Sequence, residues 1–310
     1  MNPDGRNHRL DTSGSTVRLA RLFAPSLLLT ALCALPLGAR DATAGTEIMP
    51  EGGPAWQRDR GPGMPTSMFG TYIRKGELLV YPFFEYYLEN TFDYVPSDLG
   101  YGGSGDFQGK YRASEEILFA SYGFTDWLAM EFEASTIQAR FERDPADLTG
   151  TPDVIEESGI GDIEGQVRAR LVPETEKHPE LFTYFEAVSP QEKDKPLIGT
   201  PDWELKFGVG AVRGFAFGTV TARFAGEYLL EDSSLDTGEY ALEYLRKLSS
   251  TFRLYGGFEG NKDELTAIVE AQWHFSRHAF LKVNNGFGVT EKATDWAPEV
   301  GVLFSFPTGQ

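Results

Sequence analysis

A chain of 310 residues with a formal net charge of −18 and a single cysteine is long enough for one large all-β domain. Its acidic balance lacks the basic footprint that nucleic acid demands, so no nucleic-acid partner is expected. The lone cysteine, Cys33, falls in a leader described next, so disulfide and thiol chemistry are excluded from the mature chain.

Residues 1–44 read as a signal peptide for the general secretory route. Arg6, Arg9, Arg18 and Arg21 supply a positive n-region, Leu22 to Leu37 is apolar, and Ala42-Thr43-Ala44 offers small residues for cleavage. The rival reading is a retained membrane helix, because Leu22 to Ala39 is barely long enough to span. Pro25, Pro36 and the small-residue site favour cleavage. Loss of five Arg and three Asp leaves 23 basic against 43 acidic residues, or −20. Such a charge suits a cation-attracting lumen or acidic outer loops. It suits equally an exported chain that must stay soluble before insertion.

Residues 45–76 are rich in Pro and Gly and lack periodicity, which predicts an irregular periplasmic lead-in able to enter a pore as a plug. From Glu77 the pattern changes to alternation with a period of two, the signature of strands with one apolar and one polar face. Twelve such runs are predicted, near 77–89, 111–122, 126–141, 160–172, 180–189, 202–213, 216–230, 237–248, 251–260, 263–275, 279–290 and 295–306. The clearest is Glu264 to Phe275, where Leu265, Ala267, Val269, Ala271, Trp273 and Phe275 oppose Glu264, Thr266, Ile268, Glu270, Gln272 and His274. Runs 111–122 and 180–189 carry apolar residues on both faces and leave their orientation open. Short connections alternate with longer ones, as expected when both chain ends lie in the periplasm.

The predicted fold is therefore all-β: a transmembrane antiparallel up-and-down barrel of about twelve strands over residues 77–306, with a short tail, 307–310. A soluble sandwich or lipocalin also alternates, but hides its apolar face inside. Here the polar face carries charges of both signs. The apolar face has Trp127, Trp203, Trp273, Trp296, Phe275, Phe280 and Phe306 near strand ends, which suits interfacial girdles.

The candidate site is the inward charged face: Glu131, Glu133, Glu164, Arg168, Arg170, Glu186, Glu204, Lys206, Arg223, Glu227, Glu243, Arg253, Glu259, Glu270, Lys282 and Glu299. These residues either line a polar path whose acidic excess favours cations and hydrogen-bonding solutes, or pair with one another and fill the lumen. Twelve strands lie between the eight that side chains fill and the sixteen that leave a channel, so both readings stay open. The connections 90–110 and 142–159 are expected to restrict access.

Other chemistry is poorly supported. The glycine runs Tyr101 to Gly105 and Ser158 to Gly161 lack the strand–loop–helix setting and the Lys-Ser/Thr of a phosphate cradle and read as flexible loops. No cofactor and no metal is expected: three mature histidines, His178, His274 and His278, have no cysteine to join them. An outer-membrane lipase needs a Ser–His pair at the outer leaflet, whereas Ser276 and Ser305 sit at presumed periplasmic ends. No enzyme activity is expected.

Several stretches together resemble a known family: Gly159-Ile-Gly-Asp-Ile-Glu-Gly-Gln-Val-Arg-Ala-Arg170, Glu243-Tyr-Leu-Arg246, Phe258-Glu-Gly-Asn261, Asn284-Asn-Gly-Phe-Gly-Val-Thr290 and Ala297-Pro-Glu-Val-Gly-Val-Leu-Phe304. Over roughly residues 75–306 the chain is similar to the Gram-negative outer-membrane barrels grouped as the MetA-pathway-of-phenol-degradation, or "transporter", family. The resemblance implies an outer-membrane channel for small aromatic or hydrophobic compounds, with membrane lipid, the barrel assembly machinery and a small solute as partners. One departure is the C-terminus: Phe306 is followed by Pro307-Thr-Gly-Gln310, where such barrels end on an aromatic residue.

Overall fold

A computed structural model describes residues 53–230 and 233–308. The expected leader, with Cys33, and residues 45–52 of the lead-in lie outside the described residues.

Two short strands come first, β1 (Met64–Pro65) and β2 (Tyr72–Ile73), paired as a small hairpin. Twelve long strands follow: β3 (Glu77–Tyr94), β4 (Phe107–Gly123), β5 (Leu128–Glu142), β6 (Val154–Val172), β7 (Glu180–Ser189), β8 (Glu204–Phe215), β9 (Gly218–Leu229), β10 (Ser234–Lys247), β11 (Phe252–Asn261), β12 (Glu264–His274), β13 (Ala279–Gly288) and β14 (Trp296–Pro307). Each pairs antiparallel with its sequence neighbours. β14 returns to β3 through pairs such as Phe304↔Val80 and closes the barrel. Closure satisfies every strand edge, which is what a barrel needs where no water can serve the backbone. The predicted twelve strands are all present, and β7 has the ends that the sequence pattern assigned.

Alternation sets the faces. On β12 Val269 and Trp273 point outward and are exposed, whereas Ile268, Glu270, Gln272 and His274 point inward and are buried. The outer face carries exposed Phe132, Val167, Phe207, Val209, Phe224, Leu242 and Val300, with Trp127, Trp203, Trp273 and Trp296 near strand ends. Phe280 departs from the girdle expected of it. It has inward parity, stacks on His274 with ring centroids 4.3 Å apart, and packs against a buried cluster with Leu79, Tyr81 and Phe119.

The wall is uneven. β3 to β6 run 15 to 19 residues, but β7 to β14 only 10 to 14. At about 3.3 Å per residue the tall strands overshoot what a tilted span needs. The excess lies at the end opposite Glu77, where long connections gather. The glycines of Ser158 to Gly161 belong to this wall rather than to a loop. Gly161 adjoins a register shift between Ala134 and Thr136 of β5, and a Cβ on it would crowd Ile137 and the Ser135 hydroxyl.

The inner faces that the pattern left ambiguous are apolar because other chain segments cover them. The connection 190–203 folds inward, burying Leu197 and Ile198 (2% and 1% exposed) against Tyr87, Tyr111, Ile137 and Phe141 of β3, β4 and β5. Asp162 pins it by accepting from the Gln191 and Thr200 amides at 3.0 and 2.8 Å. The Tyr111 hydroxyl donates to the Leu197 carbonyl at 3.0 Å. This segment enters the lumen, and Leu99 of the connection after β3 joins the same cluster.

On β7 the inward rings of Phe182 and Tyr184 lie over Gly210 and Gly208 of β8, where any Cβ would overlap them. Gly208→Val is expected to overpack this site and cost about 1–3 kcal/mol. Gly226→Val, on the outer face with open space around it, should be neutral. Urea unfolding in lipid vesicles separates the two, and equal midpoints would refute the packing argument.

Candidate lumen site

The lead-in segment runs inside the barrel at the end where β3 begins. Its base is fixed by charge. The fully buried Arg60 guanidinium meets Glu174 at 2.9 Å and Glu180 at 3.1 Å, and its carbon lies 5.2 Å from the Tyr72 ring centre. Burial pushes the Tyr72 phenol up to about 12, against the pull of Arg60. Arg168 donates to the Pro65 carbonyl at 2.9 Å, Arg170 donates to the Gly63 carbonyl, and the Lys247 amide donates to Asp59 at 2.9 Å.

The hairpin tip, Ser67 to Gly70, reaches the barrel centre. Glu131 accepts from the Ser67 amide at 2.9 Å and its hydroxyl at 2.5 Å. The Phe69 ring stacks on Tyr255 at 5.4 Å and lies 4.8 Å below the Arg223 guanidinium. Gly70 takes φ +63° beside Gln272, a turn that a side chain would obstruct.

Between this tip and Ile198 lies a cavity of about 320 Å³. Ten carboxylates line it (Glu85, Glu115, Glu133, Asp162, Glu164, Glu186, Glu239, Glu259, Glu264 and Glu299) against three bases, Lys206, Arg223 and Lys282. The sequence candidates Glu133, Glu164, Glu186, Lys206, Arg223, Glu259, Lys282 and Glu299 stand here. Phe83, Tyr87, Ile117, Ile137, Ile198 and Ile268 supply apolar wall between the charges.

The three bases are committed to ion pairs. Lys206 meets Glu186 at 3.0 Å and Glu239 at 3.6 Å. Arg223 meets Glu259 at 2.7 Å, Glu239 at 3.3 Å and Glu243 at 3.4 Å. Lys282 meets Glu270 at 3.2 Å and sits 4.9 Å from the Tyr81 ring centre.

The remaining candidates stand on the inward register outside the cavity lining. Glu131 lies 3.7 Å from Arg168, Arg170 meets Glu180 at 3.2 Å, and Glu204, Glu227 and Arg253 are buried in the wall. Glu227 is the direct strand partner of Lys206, and Arg253 that of Gln272.

Register produces a feature that the sequence candidates did not include. Glu270, Asn284, Glu299, Glu85 and Glu115 are successive direct partners across β12, β13, β14, β3 and β4. Glu85 thus stands between two glutamates, and like charges directly opposite repel. Glu133 and Glu164 face each other in the same way across β5 and β6. Glu85, Glu115 and Glu239 escaped notice because Glu85 and Glu115 share parity with Leu79, Phe83 and Ile117, and Glu239 lies beside a register shift near Gly238. The usable signal was that Glu77, Glu85 and Glu89 share one parity.

His274 faces Gln272 and Phe280, and the Ser305 hydroxyl donates to Glu77.

No protein-family model and no curated protein matches this sequence. Among solved structures, the fold is similar to the COG4313 outer membrane channel from Pseudomonas putida F1, with a TM-score of 0.57 and 15% identity over 78% of this chain and 100% of that chain. Looser likenesses include the KdgM porin in complex with disordered oligogalacturonate (TM-score 0.44, 11% identity, 74% and 99% covered). Another is the toluene transporter TbuX of Ralstonia pickettii (TM-score 0.40, 8% identity, 76% and 90% covered). The chain shares the closed antiparallel β-barrel fold of the first of these.

Proposed function

We propose that this chain is an outer-membrane barrel that passes small solutes passively through its lumen and prefers cations. The carrying observation is the cavity with ten carboxylates against three already paired bases. A narrow lumen with low-dielectric walls focuses such a field and concentrates counter-ions. The tall end adds to it, with Asp93 near the end of β3 and Asp98, Asp106, Asp144, Asp147 and Asp153 in the connections there. Apolar lining at Phe83, Ile117 and Ile198 leaves room for aromatic or hydrophobic cargo, the substrate class that the family resemblance suggests. Exposed apolar side chains encircling the wall support a lipid setting, because soluble proteins rarely expose so large a patch.

In planar bilayers under a tenfold potassium chloride gradient, the reversal potential should move toward the potassium equilibrium value. Glu85→Gln with Glu299→Gln should pull it back toward zero. An anion-directed potential would refute cation preference.

A second reading, a closed barrel with a structural role in the envelope, is favoured by the buried Arg60–Glu174–Glu180 cluster that seats the hairpin in the lumen. Silence at every voltage from correctly folded protein would decide for it.

A further inference from the structure

We propose that the central cavity is a binding site for a small organic cation carrying an apolar or aromatic body, held by Glu133 and Glu164 against the wall formed by Phe83, Ile117, Ile137 and Ile198. The site deepens the channel reading but its occupancy is a matter of binding, independent of conduction.

The first observation is a bounded recess in the lumen. The cavity is bounded by Ile198 from the folded-in connection and by Met68 and Phe69 from the hairpin tip. A volume of about 320 Å³ is in the range of small-molecule sites and admits one substituted ring with a little water.

The second is the distribution of charge within it. All three lining bases lie within 4 Å of carboxylates, but Glu133 and Glu164, paired side by side across β5 and β6, have no ion pair among the described residues. Two facing carboxylates beside low-dielectric walls repel each other and favour a cation or a proton between them.

The third is what surrounds them. One row along the wall, Ser135 and Ile117 are direct partners, as are Ile117 and Phe83. A hydrated inorganic ion gains nothing from that surface. Among the described residues no three His, Cys, Asp or Glu side chains are grouped to hold a bare metal ion. A neutral aromatic would leave the glutamates unpaired, and an aromatic anion would be repelled. An amine on an apolar body satisfies both walls at once, through a charge-assisted hydrogen bond to carboxylate and burial of the body.

Calorimetric titration of the detergent-solubilised full barrel with phenethylamine, 2-phenylethanol and phenylacetate tests this. Heat-modifiable migration on gels verifies the fold of every variant. Phenethylamine should bind at least about tenfold more tightly than either analogue, and Glu133→Gln with Glu164→Gln should lose at least about tenfold. Ser135→Lys, which places a base beside both glutamates, should abolish binding as a second, independent variant. Equal affinity for the alcohol, amine binding retained in either variant, or no amine binding by folded wild type would overturn the site. Conductance is scored apart. Amine binding in a silent barrel leaves this site standing and removes transport; current without amine binding does the reverse.

Discussion

Replacing Arg60 with methionine should lower the barrel's unfolding free energy by about 3–5 kcal/mol, because it takes from the buried carboxylates of Glu174 and Glu180 the guanidinium they share. Both glutamates are essentially inaccessible, and both rely on the same guanidinium nitrogen, at 2.9 and 3.1 Å. Glu180 keeps Arg170 at 3.2 Å, and Glu174 keeps Arg213 at 3.7 Å and the Gly214 amide at 2.8 Å. Those partners are the reason the lower end of the range is the better expectation. Arg143→Met is the control: its partner Asp153 is 86% exposed, and such pairs contribute about 0–1 kcal/mol. Denaturant midpoints in vesicles measure both. A change at Arg60 no larger than at Arg143 would mean that the hairpin base is not held by this cluster. Released hairpin should also show as faster proteolysis between residues 58 and 76 in folded barrels.

The second large effect lies on the outer face. Val209→Arg should cost about 2–4 kcal/mol in a bilayer, since Val209 is halfway along β8 and its neighbours on that face are Thr183 and Phe224. Trp203→Arg, just before the same strand begins, should cost only about 0–1 kcal/mol because the interface admits charge. Were the outer face merely solvated by water, neither substitution would matter and Val209→Arg would improve solubility. The depth dependence therefore reports the solvent on that face. Equal costs at both positions would remove the lipid from the account.

Strand number, order and most facings were legible in the sequence, because a period of two is a local signal that needs no partner to be seen. β12 shows this best: from Ile268 to His274 the even residues are buried and the odd ones are more exposed, as the alternation assigns. What could not be read was anything set by contact across the lumen. Tyr111 and Leu197 are 86 residues apart, and only their meeting explains why the inner face of β4 is apolar. Phe280 carries the same lesson, as an aromatic near a strand end that lies inside because a ring and a buried cluster await it there. The acidic belt through Glu299, Glu85 and Glu115 depends on register between the first and last long strands. No stretch of chain reveals that register by itself. The Arg60 cluster and the latch of Ser67 on Glu131 were hidden for a related reason: a Pro- and Gly-rich segment has no periodicity to announce where its charges will be buried.

Single-tryptophan barrels reconstituted in bilayers of brominated acyl chains probe the arrangement itself, greasy face to hydrocarbon and charged face to the lumen. Fluorescence from a protein that keeps only Trp203 should be strongly quenched, and that from one keeping only Trp56, which lies against Gly214 inside the barrel end, should be spared. Quenching of Trp56 with sparing of Trp203, or purified protein that stays monodisperse in buffer without detergent, would contradict it.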